Sequence, residues 1–454
     1  MPALPFYSLI GIVLFFQLLI PVGAHAGETA NTYRVAAGQL SEASRVSAPT
    51  RDPRTGAPDV SPMTSPTGDA LLTLTQAESL AQAHAPWLAH HRTNANAAAE
   101  RVVYAGQLPD PQLVFGAVNV PTDNWSLDQE DMTMVAVGVR QSFPPGDTLA
   151  LRSRRAEKEL TREEAKIEAE RRLLVKQIRQ AWLELYFQEE SLRRLLESRR
   201  LQNLQLEAAQ GRYRAAADMQ QVLIRARQAV ARINEREPML KAQVARTRAQ
   251  LGRWIGAAAA LPLPAALPVL PTPAAAFDPA HHPEWLASEA TFDAARLDVD
   301  MARQDYKPAW MVDLSYGLRR PMPDGTERSN MATAMVTLDM PLFPGKRQDR
   351  RLAEKQAMEN GARFEIEDKR RELEAMYQSA RADYAALAES AQIFEEQLLP
   401  AMRRETQVTI AGFARDQSDF RDAQLKVIDS ELEYTRVRVD LAKTQAELLY
   451  LTGE

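Results

Sequence analysis

Three aspartates at intervals of three, Asp416, Asp419 and Asp422, stand between two long helical stretches. Acids at that spacing share one face of a helix, and two roles are open to them. They can cap a helix start, for which Ser418 and Asp419 are best placed. Alternatively, repeated by rotational symmetry, an inward carboxylate becomes a ring of like charge that selects ions by sign. Six histidines invite a metal reading: His25, His84, His90, His91, His281 and His282. His84 and His282 each precede a helix and are read as helix-start residues, and His90-His91 is a surface pair without carboxylate or thiolate support. The 454 residues contain no cysteine, which excludes disulfides, thiolate zinc sites, cysteine nucleophiles and iron–sulfur clusters. No metal site and no cofactor are assigned. Met331 and Met335 share a strand face with Thr333, which leaves open both irregular packing and a soft-metal path. No catalytic triad, metalloprotease motif or dinucleotide fingerprint occurs, and Lys346 after Gly345 lacks the Gly-x4-Gly-Lys-Ser/Thr context of a phosphate loop. The expectation is a protein that is not an enzyme.

These residues are set in a duplicated framework. His84-Ala-Pro-Trp-Leu-Ala89 matches His282-Pro-Glu-Trp-Leu-Ala287, which makes Trp87 and Trp285 equivalent. Ser142-Phe-Pro-Pro-Gly146 matches Pro341-Leu-Phe-Pro-Gly345, and Leu251-Gly-Arg-Trp-Ile-Gly256 matches Leu448-Leu-Tyr-Leu-Thr-Gly453. The expected organisation is a signal peptide over 1–26, a flexible leader over 27–70 and a first repeat over 71–256. A linker over 257–280 and a second repeat over 281–454 follow. The linker holds six prolines among alanines, an extended composition. Each repeat reads as helix, two strands, then two long helices.

The strands alternate with period two. Trp310, Val312, Leu314, Tyr316 and Leu318 alternate with Met311, Asp313, Ser315, Gly317 and Arg319. Ala332, Ala334, Val336, Leu338 and Met340 alternate with Met331, Thr333, Met335, Thr337 and Asp339. Val135, Val137 and Val139 repeat the pattern in the first half, and 112–120 is a weaker strand. Polar loops at 121–131 and 320–329 join each pair. Strands of this length and alternation suit a membrane barrel, or a soluble sheet with one face on a core. Four strands cannot close a barrel alone, so they are pooled between subunits or packed on helices. Asp313 and Asp339, on the polar faces, are the candidate lumen residues. Leu160, Ile167, Leu174, Ile178, Leu185 and Leu192 form a coiled-coil seam. A helix over 148–210 would be about 93 Å long, too long for a compact domain to bury.

At the N-terminus, an apolar run from Phe6 to Ile20 precedes Ala24-His25-Ala26, the form of a secretory signal cleaved after Ala26. An uncleaved anchor is the rival. Without a cysteine the mature N-terminus is not lipidated. A net charge of −5 argues against a nucleic-acid partner.

Two copies of helix, strand pair and long helical hairpin resemble the TolC-like family of outer-membrane efflux channels. The resemblance covers about 72–454 and is strongest at the second hairpin turn. There the family shows an aromatic, two residues, Gly, two residues, Ser or Thr, two residues, then an acid. Here Phe413 takes the aromatic position and Asp422 the acidic one, while Asp416 replaces the glycine; in the first copy Tyr213 is the aromatic and Ala216 replaces the glycine. The resemblance implies an α+β membrane protein. Its trimer would share one 12-stranded outer-membrane β-barrel, four strands per chain, continued by a periplasmic coiled-coil barrel. It also implies partners, a periplasmic adaptor (membrane fusion protein) and an inner-membrane RND pump, with outer-membrane lipid around the barrel. It places a gate at the hairpin turns, with Tyr213, Asp218, Phe413, Arg415, Asp416, Asp419 and Asp422 as candidates. Asp305-Tyr-Lys-Pro-Ala-Trp310 and Pro341-Leu-Phe-Pro-Gly345 are similar to the heavy-metal (CusC/CzcC-like) subgroup of RND pump partners. The implied function is a passive exit duct. A periplasmic coiled-coil scaffold or adaptor that spans no membrane is the alternative.

Overall fold

The computed structural model describes residues 71–83, 85–215, 220–411 and 417–453. The signal and leader expectations, and His84, Asp218, Phe413, Arg415 and Asp416, lie outside the described residues, as does the side chain of Asp419. Helices α1 (Leu74–Ala83) and α2 (Pro86–Ala105) lead to strands β1 (Gln112–Val118) and β2 (Met134–Phe143). Helices α3 (Thr148–Arg214) and α4 (Gln220–Ile255) form the first long hairpin. The order returns with α5 (Pro283–Gln304), β3 (Ala309–Leu318), β4 (Met331–Asp339), α6 (Gln348–Ile393), α7 (Leu399–Ala411) and α8 (Gln417–Thr452). At 67 residues, α3 is about 100 Å long. No described helix is long and apolar enough to cross a membrane.

The four strands make one antiparallel sheet in the order β1-β2-β3-β4, so the two strand pairs join edge to edge through β2 and β3. Its register sets Leu113, Val139, Leu314 and Ala334 in one row and Phe115, Val137, Tyr316 and Ala332 in the next. This apolar face is exposed: Phe115 is 70% and Leu338 57% accessible. A soluble sheet turns such a face inward. The opposite face carries Asp313, Ser315, Thr333 and Thr337. Gly138 fits there because a Cβ would lie 2.8 Å from the Leu314 carbonyl.

The core sits along the middle of α3, some 40–55 Å from its start. Leu174, Ile178 and Leu185 of the seam are buried with Trp182, Leu183, Leu251, Val439 and Leu449. The proline-rich segment after α4, expected to be extended throughout, opens with a 3-10 turn, Gly256–Ala260, runs without regular structure to a second at Pro279–His281, and is strapped down. Proline supplies no N–H, so side chains from the helices donate to its carbonyls: Tyr186 to Ala265, Tyr377 to Ala275, and Gln445 to Leu270 and Pro271. Arg248 grips Ala259 and Leu261 in the same way. Between α6 and α7 a π-helical turn, Phe394–Leu398, ends two positions before Pro400. The wider turn accommodates a residue that cannot donate to the helical ladder.

Candidate functional site

Three regions gather polar and ionic side chains: the hairpin ends, the polar face of the sheet, and the junction where the repeats meet. At the hairpin ends, Tyr213 lies in the last turn of α3, 44% exposed. Asp422 lies in the second turn of α8 and is exposed. Its Oδ1 accepts a 2.8 Å bond from Gln205 Nε2 of α3. The structure therefore joins the two hairpins, 217 residues apart in sequence, through one of the expected acids. Farther along, Arg194 of α3 and Arg403 of α7 both reach Glu431 of α8, each at 2.9 Å. Glu184 of α3 receives Lys443 and Arg436 of α8. Burial pushes the Glu184 carboxyl up, but Lys443 and Arg436 overcome it and hold it below the usual carboxylate range. The Arg194–Glu431, Arg436–Glu184 and Lys443–Glu184 pairs tie the two hairpins to each other.

On the sheet, Asp313 is not a free lumen charge. Arg140, opposite it on β2, donates from Nε at 2.8 Å and lies 2.7 Å away through Nη2. Asp339 ends β4, exposed and opposite Ala309. Four methionines join these acids on the same face. Met331 stands opposite Gly317, Met335 opposite Asp313 and Met311 opposite Thr337. Met134 lies so close over Gly317 that its sulfur occupies the space of a Cβ there. At the far end of the sheet the two polar loops are stitched together by arginines. Arg319 donates to the Asp131 and Ser329 carbonyls at 2.9 and 2.6 Å. Arg328 donates to the carbonyls of Glu130, Arg320 and Leu127.

At the repeat junction, His282 is 1% exposed and caps α5, its Nδ1 accepting the Glu284 N–H at 3.3 Å. This is the helix-start role expected of it. Its Nε2 is buried without a partner. Burial, with the Arg172, Lys369 and Lys176 charges against it, lowers the imidazole pKa to about 4 despite Glu284. Glu284 accepts from Tyr450 at 2.5 Å and from Lys369 at 3.2 Å. Burial raises the Tyr450 hydroxyl pKa, and Glu284 adds to that. The sequence signals His282 through its match with His84, but nothing local marks Glu284, Lys369 or Tyr450 as its surroundings. Among the described residues no three His, Asp or Glu side chains group as a metal site.

Residues 280–454 match the family model described as outer membrane efflux protein. The fold recurs in solved structures. A Pseudomonas aeruginosa membrane protein is 17% identical, with a TM-score of 0.70 over 84% of this chain and 93% of that one. The Vibrio cholerae outer membrane protein VceC is 16% identical, with a TM-score of 0.69 over 84% and 96%. CusC, whose structures concern transmembrane channel formation, is 15% identical, with a TM-score of 0.69 over 84% and 92%. At these identities the likeness is one of fold. No curated protein matches the chain in sequence.

Proposed function

We propose that the chain is the outer-membrane exit duct of a tripartite RND-type efflux system, acting as a homotrimer with a periplasmic adaptor and an inner-membrane pump. The observation that carries this is a sheet with a continuous exposed apolar face and its ionic and thioether groups on the other. A lipid-facing barrel wall needs that arrangement, and a periplasmic scaffold does not. Pooling three sheets joins the free β1 edge of one protomer to the free β4 edge of the next, which removes every unpaired edge. The family match over 280–454 and the shared fold of outer-membrane channels support the same reading. The two arginine-stitched loops then face outside the cell. The hairpin ends carrying Tyr213 and Asp422 form the periplasmic end, where converging helices narrow the path.

The proposed cargo is a metal cation. Met134, Met311, Met331 and Met335 give the inner wall a soft-ligand character that suits monovalent copper or silver. Loss of the gene should then sensitise cells to metal ions more than to dyes or detergents. Sensitivity confined to the organic compounds would reverse the assignment of cargo. The topology is tested with single cysteines in this cysteine-free chain. Asp123→Cys and Asp324→Cys should react with a membrane-impermeant maleimide on intact cells, whereas Ala242→Cys on α4 should not. Equal protection of all three positions would overturn the placement.

A further inference from the structure

Where β4 turns into α6, the chain exposes apolar residues and cations side by side. Phe343 is 85% accessible, and Met340 and Leu342 are 67% each. Lys346, Arg347, Arg350 and Arg351 follow within eight residues of Phe343, all exposed. Arg351 is committed to Asp305 at 2.9 Å, Asp349 to Tyr306 at 2.6 Å, and Lys307 to Asp147 at 3.5 Å. Among the described residues, Lys346, Arg347 and Arg350 form no ion pair. A cleft of about 620 Å³ opens here, lined by Lys307, Asp339, Met340, Arg347 and Arg351. Gln348, whose Oε1 is buried without a hydrogen-bond partner, lines it too.

The corresponding junction of the first repeat has Asp147 and Thr148 where Lys346 and Arg347 stand and Leu151 where Arg350 stands, its first cation being Arg152, so turning a strand into a helix does not require cations at these three positions. The apolar residues continue the outward face of the sheet. Leu338 lies opposite Trp310, Trp310 opposite Phe143, and the last two rings stack at 4.0 Å. An aromatic pair, then a wedge of Leu342 and Phe343, then uncommitted cations is the order of groups met on leaving a bilayer core for its phosphate layer.

We propose that this junction binds an anionic phospholipid of the periplasmic leaflet. The acyl chains lie against Met340, Leu342 and Phe343, and the phosphate meets Lys346, Arg347 and Arg350. The inference rests on the membrane placement proposed above. Each cation near an anionic surface favours it about fivefold, so three give on the order of a hundredfold.

The test is native mass spectrometry of the full-length protein in neutral detergent, with phosphatidylglycerol or phosphatidylcholine added at equal mole fraction. The parent should retain phosphatidylglycerol on the order of a hundredfold more strongly at low salt. The K346Q/R347Q/R350Q variant should lose that preference while melting like the parent. Phe343→Ser should weaken both lipids alike, and inorganic phosphate should not displace phosphatidylglycerol. Equal retention of both lipids by the parent would overturn the proposal and assign the apolar patch to a subunit contact. A preference that survives in the triple variant, or displacement by phosphate, would overturn it as well. Conductance of the same preparations in phosphatidylcholine bilayers is read separately. A conducting protein without lipid preference refutes only this site, and a non-conducting protein with the preference refutes only the duct.

Discussion

Lowering the pH from 7 to 4 should destabilise the repeat junction through His282, and the size of the effect follows from its surroundings. The imidazole is 1% exposed, and its pKa falls from 6.5 to about 4. The folded chain therefore holds the ring neutral where the unfolded chain would protonate it. The stability this provides is complete above pH 6.5, declines as pH falls through the interval and is lost near pH 4. A shift of that size corresponds to about 3 kcal/mol per protomer. With an unfolding entropy on the order of 0.8 kcal/mol/K for a chain of this size, melting should fall by about 4 °C. His282→Asn keeps a side-chain acceptor for the α5 cap and removes the titration. Melting followed by circular dichroism from pH 7 to 4 should show parent and variant diverging only below pH 6.5. The variant should be about 4 °C less sensitive than the parent over that interval. Curves that stay parallel from pH 7 to 4 would refute the buried neutral imidazole as the source.

Asp422→Ala and Gln205→Ala each remove the bond between the hairpin ends, worth about 0.5–1.5 kcal/mol per copy. Either should raise resting single-channel conductance in a planar bilayer, whereas unchanged conductance would make Asp422 a helix-start residue alone. Arg140→Gln frees the Asp313 carboxylate on the sheet's polar face. Cation selectivity read from reversal potentials should rise, stability should fall by about 1–3 kcal/mol, and Arg140→Gln/Asp313→Asn should restore the parent selectivity. Arg328→Ala releases three loop carbonyls at the far end of the sheet. Protease cleavage within 121–131 and 320–329 should then quicken while the helical melting stays as in the parent.

The sheet was legible because its information is local: period-two alternation marks β2, β3 and β4 and only weakly β1, and the duplicated Pro-Gly and Trp-Leu-Ala segments align the halves. The seam through Leu174, Ile178 and Leu185 was legible for the same reason, since a heptad repeat names its own buried face. The helix-start role of His282 followed from its match with His84, each just before a helix. Pairings across the sequence were not legible. Arg140 and Asp313 lie 173 residues apart, and only the β2–β3 register brings them together, so Asp313 reads as a free lumen acid until that register is known. The strapped linker was hidden differently. Its prolines advertise an extended chain, but the donors that hold its carbonyls, Tyr186, Tyr377 and Gln445, sit on helices far from it in sequence. The π-helical turn before Pro400 had one visible sign, the proline itself, yet Pro238 lies inside α4 without interrupting it. Of the gate candidates, Asp422 acquires a partner in Gln205, a residue that no local pattern distinguishes.

The central claim is that three copies of this four-stranded sheet close one membrane barrel. Native mass measurement on protein extracted with detergent from the outer-membrane fraction tests it most directly. The account predicts a single species of three mature chains, held together when detergent is exchanged. A monomer recovered from the soluble periplasmic fraction would leave the apolar face of the sheet without a bilayer and would contradict it.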